Sequence, residues 1–263
     1  MLFKNQENVK YHLTIDDETR VKIVNGNSKL GRGIYAVNLL PGDTPLTLKD
    51  GTQLTNVAGS CAGCCSGCKT DCYAVSDAKR YHNTVIKSQG NNTLLARFDR
   101  ERFFEDVQRF IDYNMIAALR IHSSGEFLSY GYFTDWIDFV KKNPETKFYF
   151  MVPPYSSLWW YEAYMCGDLE LNYYALDQAF TRLLEYDNVE IHYFQGMEEI
   201  VSDLSLFMDT IHYHPDVNKT LVELIPSCKY KITLDTKDEV LNIYHLQFFL
   251  YFSQNHLKHL FII

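Results

Sequence analysis

Five of the seven cysteines in this 263-residue chain fall within twelve consecutive positions, in the stretch CAGCCSGCKTDCYA. They are Cys61, Cys64, Cys65, Cys68 and Cys72. Thiolates spaced a few residues apart on a loop can converge on one metal centre, and the interspersed glycines let the backbone wrap around it. Disulfide bonding fits poorly, since disulfide frameworks are typical of small secreted domains and the cysteine count here is odd. The stretch therefore predicts a metal- or cluster-binding loop.

The density of this cysteine loop favours an iron–sulfur cluster, with zinc as the alternative metal. Structural zinc sites usually combine two short cysteine pairs across a longer spacer, and the sequence has one dense group instead. Two triads of the loop, C-x3-C-x2-C and C-x3-C-x3-C, share Cys68. Three thiolates can hold three irons of a 4Fe–4S cubane and leave the fourth iron open to a ligand. The surplus thiols leave open a larger cluster or a second one, while Cys166 and Cys228 are predicted to be isolated, buried small side chains.

The acidic composition bears on location and partners. A net charge of −8 at pH 7 disfavours general binding to nucleic acid or to an anionic membrane, because both would repel the protein surface. No apolar run reaches the roughly 20 residues of a membrane span, and the polar first residues lack the apolar core of a signal peptide. These features predict a cytoplasmic protein whose partner is a small molecule or another protein.

The elements that would position the loop alternate between strands and helices. Strands are predicted at GIYAVNLLP, MIAALRIH, KFYFMV and NVEIHYF, and helices over about residues 93–113, 132–143, 168–185 and 197–208, with Asp99 as a candidate cap. Such alternation is typical of parallel sheets with helical crossovers. It predicts an α/β fold, a partial or irregular (β/α) barrel with a mainly parallel sheet and the cysteine loop at the carboxyl ends of its strands. Residues 1–32 are predicted to be an N-terminal extension packed on the core, and residues 33–263 a single cluster-binding domain.

A polar turn after the strand MIAALRIH is expected to face the same site, since ligands gather at the carboxyl ends of parallel strands. Its residues are Ser123, Ser124, Gly125 and Glu126, and His122 ends the strand. Gly125 permits close backbone approach, and Glu126 offers a carboxylate. We predict that the four turn residues bind a cofactor and that His122 and Glu126 act in catalysis, with helix capping as the alternative role of Glu126.

Two segments in register resemble the phage gene-product-88 family. The first, CKTDCYA, fits its C-[KR]-x-x-C-Y-A pattern, and the second, RIHSSGEF, fits R-x-H-x-S-G-[DE]-F. The resemblance covers about residues 33–155 and implies a metal-binding loop in a protein that acts inside the host cell. A later cysteine-rich segment expected of such proteins is missing here, which leaves Cys228 alone in that region.

A more distant resemblance is to radical S-adenosylmethionine enzymes. Cys61, Cys65 and Cys68 match their C-x3-C-x2-C spacing, and the SGE turn approximates their Gly-Gly-Glu turn. The pattern differs at Gly67, where those enzymes usually carry an aromatic residue, and at Ser124, which replaces the first glycine. This resemblance implies S-adenosylmethionine as a second cofactor and radical chemistry as an activity.

Two classes of function follow from these observations. In the first, the chain is a phage-type iron–sulfur protein, with redox or radical chemistry as its candidate activities. In the second, the loop binds zinc in a non-catalytic interaction protein that acts on a host factor.

Overall fold

The computed structural model describes residues 15–25, 33–42, 46–47, 53–54, 60–61, 72–116, 118–122, 124–125 and 127–242. The chain forms two compact units, Met1–Trp136 and Ile137–Ile263. Each unit contains one three-stranded sheet. The predicted division at residues 32 and 33 stays a prediction, because residues 1–14 and 26–32 lie outside the described part of the chain.

The first unit is built on a small sheet with the strand order β1-β2-β5. Strand β1 is antiparallel to β2, and β2 is parallel to β5. Two further short strands, β3 and β4, form an antiparallel pair of their own. The elements in chain order are β1 (Ile23–Asn25), β2 (Ile34–Val37), β3 (Leu46–Thr47), β4 (Gln53–Leu54), α1 (Tyr73–Arg80), α2 (His82–Phe98), α3 (Arg100–Asn114), β5 (Ala118–Ile121) and α4 (Tyr130–Lys142), whose residues are shared between the two units.

The long helix predicted over residues 93–113 is two helices that meet at Asp99. The Asp99 side chain caps α3 by accepting a hydrogen bond from the backbone N–H of Arg102 at 3.3 Å, so the predicted cap is confirmed. The first of these two helices, α2, begins at His82, well before the predicted start at residue 93. Its sequence hides it because two of its fully buried side chains, Asn92 and Thr93, are polar and break the apolar periodicity.

Apolar side chains from β2, from the segment that follows it and from the helices contribute to the core of the first unit. An aromatic group brings α3 and α4 together, with Phe103 packed edge-on against Tyr132 at 5.7 Å and against Trp136 at 6.3 Å between ring centroids. The buried core residues include Ala36, Val37, Leu39, Leu40, Leu94, Leu95, Phe103, Val107, Tyr132 and Trp136.

The second unit has the strand order β6-β7-β8, with β6 parallel to β7 and β7 antiparallel to β8. Its elements are β6 (Phe148–Val152), α5 (Ser157–Cys166), α6 (Leu169–Leu183), β7 (Val189–Tyr193), α7 (Glu198–Val201), α8 (Pro215–Leu224) and β8 (Lys231–Ile232), and residues 234–242 are helical. The helix predicted over residues 197–208 is wrong beyond α7. The Asp203 carboxylate accepts hydrogen bonds from the backbone N–H and the hydroxyl of Ser205 and so caps a separate 3₁₀ turn, Leu204–Leu206.

The chain is α/β, but the predicted barrel with a mainly parallel sheet is wrong. In the part of the chain that the structure describes, the two three-stranded sheets are open, and each combines one parallel with one antiparallel pair. The sequence suggests a mainly parallel sheet because the central strands do alternate with helices. The strands that flank them, β1 and β8, are short and pair antiparallel, so parallel pairing stops after one crossover in each unit.

None of the helices in the described ranges is both long enough and apolar enough to cross a bilayer.

Candidate functional site

The carboxyl ends of β2 and β5 lie side by side in the first unit. The parallel register pairs Val37 with Ile121, and the pairing continues beyond both strands. The backbone N–H of His122 donates to the carbonyl of Val37 at 3.0 Å, and that of Leu39 donates to the carbonyl of Ser124 at 3.0 Å. The chain that leaves β2 and the turn that follows β5 therefore share one edge, which we call the β2–β5 edge.

The cysteine loop begins at the β2–β5 edge. Ser60, which is fully buried, donates to the carbonyl oxygen of Leu40 from its backbone N–H at 2.9 Å and from its hydroxyl at 2.8 Å. Cys61 follows directly and is half-buried. The first cysteine of the loop is thus held next to the end of β2.

The loop returns to the same place at its other end. Cys72 is half-buried and is the N-cap residue of α1. One turn into that helix, Val75 lies beside Gly42: a Cβ added to Gly42 would be 3.7 Å from a methyl carbon of Val75. Both ends of the loop are therefore anchored against residues 40–42.

Gly125 packs directly on the start of the loop. Its φ is +82°, and a Cβ at this position would lie 2.4 Å from the hydroxyl oxygen of Ser60 and 2.8 Å from the Cβ of Leu39. Both distances are shorter than real Cβ contacts, so a side chain would force a shift. The glycine thus permits close packing of the backbone against Ser60 and Leu39. This contact couples the turn after β5 to the cysteine loop.

The hydroxyl of Ser124 forms hydrogen bonds with other groups of the protein. The side chain is buried and donates to the carbonyl of Leu39 at 3.1 Å, with Gln89 Oε1 at 3.3 Å. Of the four turn residues predicted to bind a cofactor, Ser123 and Glu126 lie outside the described residues, so their role stays a prediction.

A polar face of α2, unnoticed in the sequence, supports the same edge. The Thr93 hydroxyl accepts from the backbone N–H of Leu40 at 2.8 Å. Asn92 donates to the carbonyls of Asn38 and Lys22, each at 2.9 Å. Together with Gln89 these side chains occupy positions i, i+3 and i+4, which share one helix face. That spacing of polar residues in a stretch without apolar periodicity is the signal that could have identified them.

His122 lies at the end of β5 in an aromatic environment. Its Nε2 is 3.1 Å from the hydroxyl oxygen of Tyr132, and its ring stacks on that of Tyr132 at 5.7 Å. Burial lowers the pKa of His122 to about 4, so the imidazole is neutral at physiological pH. The sequence predicts only that Tyr132 begins a helix, and nothing in the pattern marks its hydroxyl.

The donor set of the candidate site consists of thiols. Cys61 and Cys72 are described, whereas Cys64, Cys65 and Cys68 lie outside the described residues. Among the described residues alone, no group of three or more His, Cys, Asp or Glu side chains is placed to hold a metal. Two half-buried thiols at the anchored ends of a loop with three more thiols between them fit a thiophilic metal or an iron–sulfur cluster.

The two cysteines outside the loop belong to the second unit. Cys166, the last residue of α5, and Cys228 are both exposed, so the prediction that they are buried is wrong. Cys166 ends a helix whose last turn faces solvent. The apolar residues that precede it in the sequence led to the prediction of a buried position.

A family model described as Gene product 88 matches residues 20–151, which is half of the chain. The matched segment includes the cysteine loop, the β2–β5 edge and His122. No curated protein matches the chain at a significant level, and neither does any solved structure.

Proposed function

The chain belongs to the phage gene product 88 family, and we propose that it is an iron–sulfur protein whose cysteine loop holds the cluster. One observation carries the proposal: Ser60 and Val75, which flank the loop, are both held against residues 40–42. The residues that flank a segment with five cysteines thereby meet at one edge of a sheet. We propose further that it acts in the cytoplasm of the host cell.

Anchoring both ends of the loop favours metal binding for an entropic reason. A flexible chain must lose conformational freedom to bring distant ligands together, and loop closure carries a free-energy cost that grows with loop length. Here the hydrogen bonds of Ser60 and the packing of Val75 close the loop before any metal binds.

The turn after β5 offers the groups that would meet a ligand at an open iron. The Ser124 hydroxyl is occupied by Leu39 and Gln89, which leaves Ser123 and Glu126 as the turn's candidate polar contacts. A bound cluster with one open iron would supply electron transfer or coordination of a small molecule. S-adenosylmethionine is the ligand that the resemblance to radical enzymes implies.

Visible absorption spectroscopy of the anaerobically purified chain tests the proposal. We expect a brown protein with broad visible absorbance that is lost on exposure to oxygen. The matched control is a variant with all five loop cysteines changed to serine, which should be colourless but folded. A colourless wild-type protein carrying stoichiometric zinc would overturn the proposal and favour the non-catalytic interaction protein.

A further inference from the structure

Leu40 is held at both of its backbone groups by residues distant in sequence. Its N–H donates to the Thr93 hydroxyl of α2 at 2.8 Å, and its carbonyl accepts from the backbone N–H and the hydroxyl of Ser60 at 2.9 and 2.8 Å. Leu40, Ser60 and Thr93 are all fully buried. Leu40 therefore joins α2 to the residue that directly precedes Cys61, the first thiol of the cysteine loop.

The Thr93 hydroxyl makes a second hydrogen bond, which fixes its direction. A backbone N–H can only donate, so the hydroxyl oxygen accepts from Leu40, and its own hydrogen is donated to the carbonyl of Gln89 at 2.7 Å. Serine can make both bonds at this position, whereas valine, which has nearly the same shape as threonine, can make neither. Thr93→Val would leave the buried N–H of Leu40 without its acceptor, and that group would then incur its full desolvation penalty.

The neighbouring residue, Leu39, binds the turn after β5 in the same way. Its N–H donates to the carbonyl of Ser124 at 3.0 Å, and its carbonyl accepts from the Ser124 hydroxyl at 3.1 Å. Gln89 Oε1 of α2 lies 3.3 Å from that hydroxyl. Leu39 and Leu40 therefore connect α2, the turn after β5 and the start of the cysteine loop within two residues.

We propose that Thr93 is a positioning residue of the cysteine loop: through Leu40 and Ser60, its hydroxyl sets where Cys61 lies. Without the Thr93 acceptor, Leu40 has to shift to pair its N–H, and its carbonyl then moves away from Ser60. Groups outside the ligand set orient the ligands and tune a metal centre, so a displaced Cys61 would change the reduction potential of a bound cluster. The link to a cluster rests on the proposed function, whereas the coupling of Thr93 to Ser60 does not.

Amide hydrogen exchange, measured by mass spectrometry on the full chain as purified anaerobically, tests the coupling. The probe is the N–H of Ser60, which bonds Leu40 and not Thr93. In Thr93→Val this N–H should exchange about tenfold faster, the order expected for the loss of one buried hydrogen bond, and Thr93→Ser should restore the wild-type rate. The matched control is Thr134→Val. The Thr134 hydroxyl likewise donates to the carbonyl four residues earlier, that of Tyr130 at 2.9 Å, and its loss should leave the rate at Ser60 unchanged.

The reduction potential of the cluster-loaded chain is the second readout, because a residue that only stabilises the fold would not move it. The potential should shift in Thr93→Val, return to the wild-type value in Thr93→Ser and stay unchanged in Thr134→Val.

The inference is overturned by an unchanged exchange rate of Ser60 in a folded Thr93→Val, or by a cluster whose potential does not respond to that change. Should Thr93→Val fail to fold, Ser60→Ala tests the same link from the other side. It removes one of the two donors to the Leu40 carbonyl, so the N–H of Leu40 has to exchange faster, and an unchanged rate there would overturn the inference too. A chain purified without a cluster would refute the proposed function, while the exchange rate of Ser60 still decides whether Thr93 acts through Leu40.

Discussion

Substituting Gly125 with alanine tests whether the turn after β5 supports the start of the cysteine loop. Two costs add. An alanine at a φ of +82° costs about 1–2 kcal/mol in backbone strain. Its Cβ would also lie 2.9 Å from the carbonyl oxygen of Leu39 and 2.4 Å from the Ser60 hydroxyl oxygen, and overpacking of this kind typically costs about 1–3 kcal/mol. Gly125→Ala should therefore lower the free energy of unfolding by about 2–5 kcal/mol.

A second glycine of the same unit separates the two costs. Gly33 has a φ of +92°, and a Cβ there would meet no atom within 4 Å. Gly33→Ala should therefore lose only the backbone part, about 1–2 kcal/mol. Urea unfolding followed by circular dichroism measures both variants. The contact between Gly125 and the loop is refuted if the two alanine variants are equally destabilised, and its link to the site is refuted if Gly125→Ala binds metal as the wild type does.

Three further predictions concern the loop, the histidine and the ligand. Cys68→Ala and Cys72→Ala should each abolish iron loading, while Cys166→Ala, at an exposed position of the second unit, should leave the iron content unchanged; iron retention in Cys68→Ala would contradict the assignment. Burial lowers the pKa of His122 from 6.5 to about 4. As the pH decreases from 6.5 to about 4, the unfolded chain therefore takes up the proton before the folded chain does. The free energy of unfolding should fall by up to about 3 kcal/mol over this pH range. Urea unfolding at both ends of the window should show a smaller decrease in His122→Gln, and an equal decrease would contradict the assignment. A charge-assisted hydrogen bond from Glu126 to bound S-adenosylmethionine contributes roughly 1.5–3 kcal/mol, so Glu126→Gln should weaken binding to the reduced, cluster-loaded chain about 10- to 100-fold by calorimetric titration; absence of binding to the wild type would eliminate this ligand.

The sequence predicts well the elements whose burial is apolar and periodic. The strand KFYFMV corresponds to β6, the strand NVEIHYF contains β7, and the helix predicted over residues 168–185 is α6 within two residues at each end. In each of them, local apolar patterning and tertiary packing favour the same structure. The barrel was wrong because strand pairing at the margins of a sheet depends on contacts distant in sequence, which β1 and β8 do not reveal locally.

In the candidate site, too, some features could be predicted from the sequence and others could not. Their placement after parallel strands predicted that the cysteine loop and the turn after β5 belong to one edge, and Ser60 and Gly125 are in contact there. The supporting residues could not be predicted in the same way, because Thr93 and Asn92 act by binding backbone groups some fifty residues away or more. In the sequence, Tyr132 has the pattern of a core aromatic residue, and the structure shows its hydroxyl beside Nε2 of His122.

The most direct test of the central claim is the content of iron, acid-labile sulfide and zinc per chain after anaerobic purification, combined with electron paramagnetic resonance before and after reduction. An iron–sulfur protein should contain iron and sulfide in equal amounts and give a cluster signal in at least one oxidation state. Zinc in stoichiometric amount without sulfide, or no metal in a folded chain with all loop thiols reduced, would contradict it.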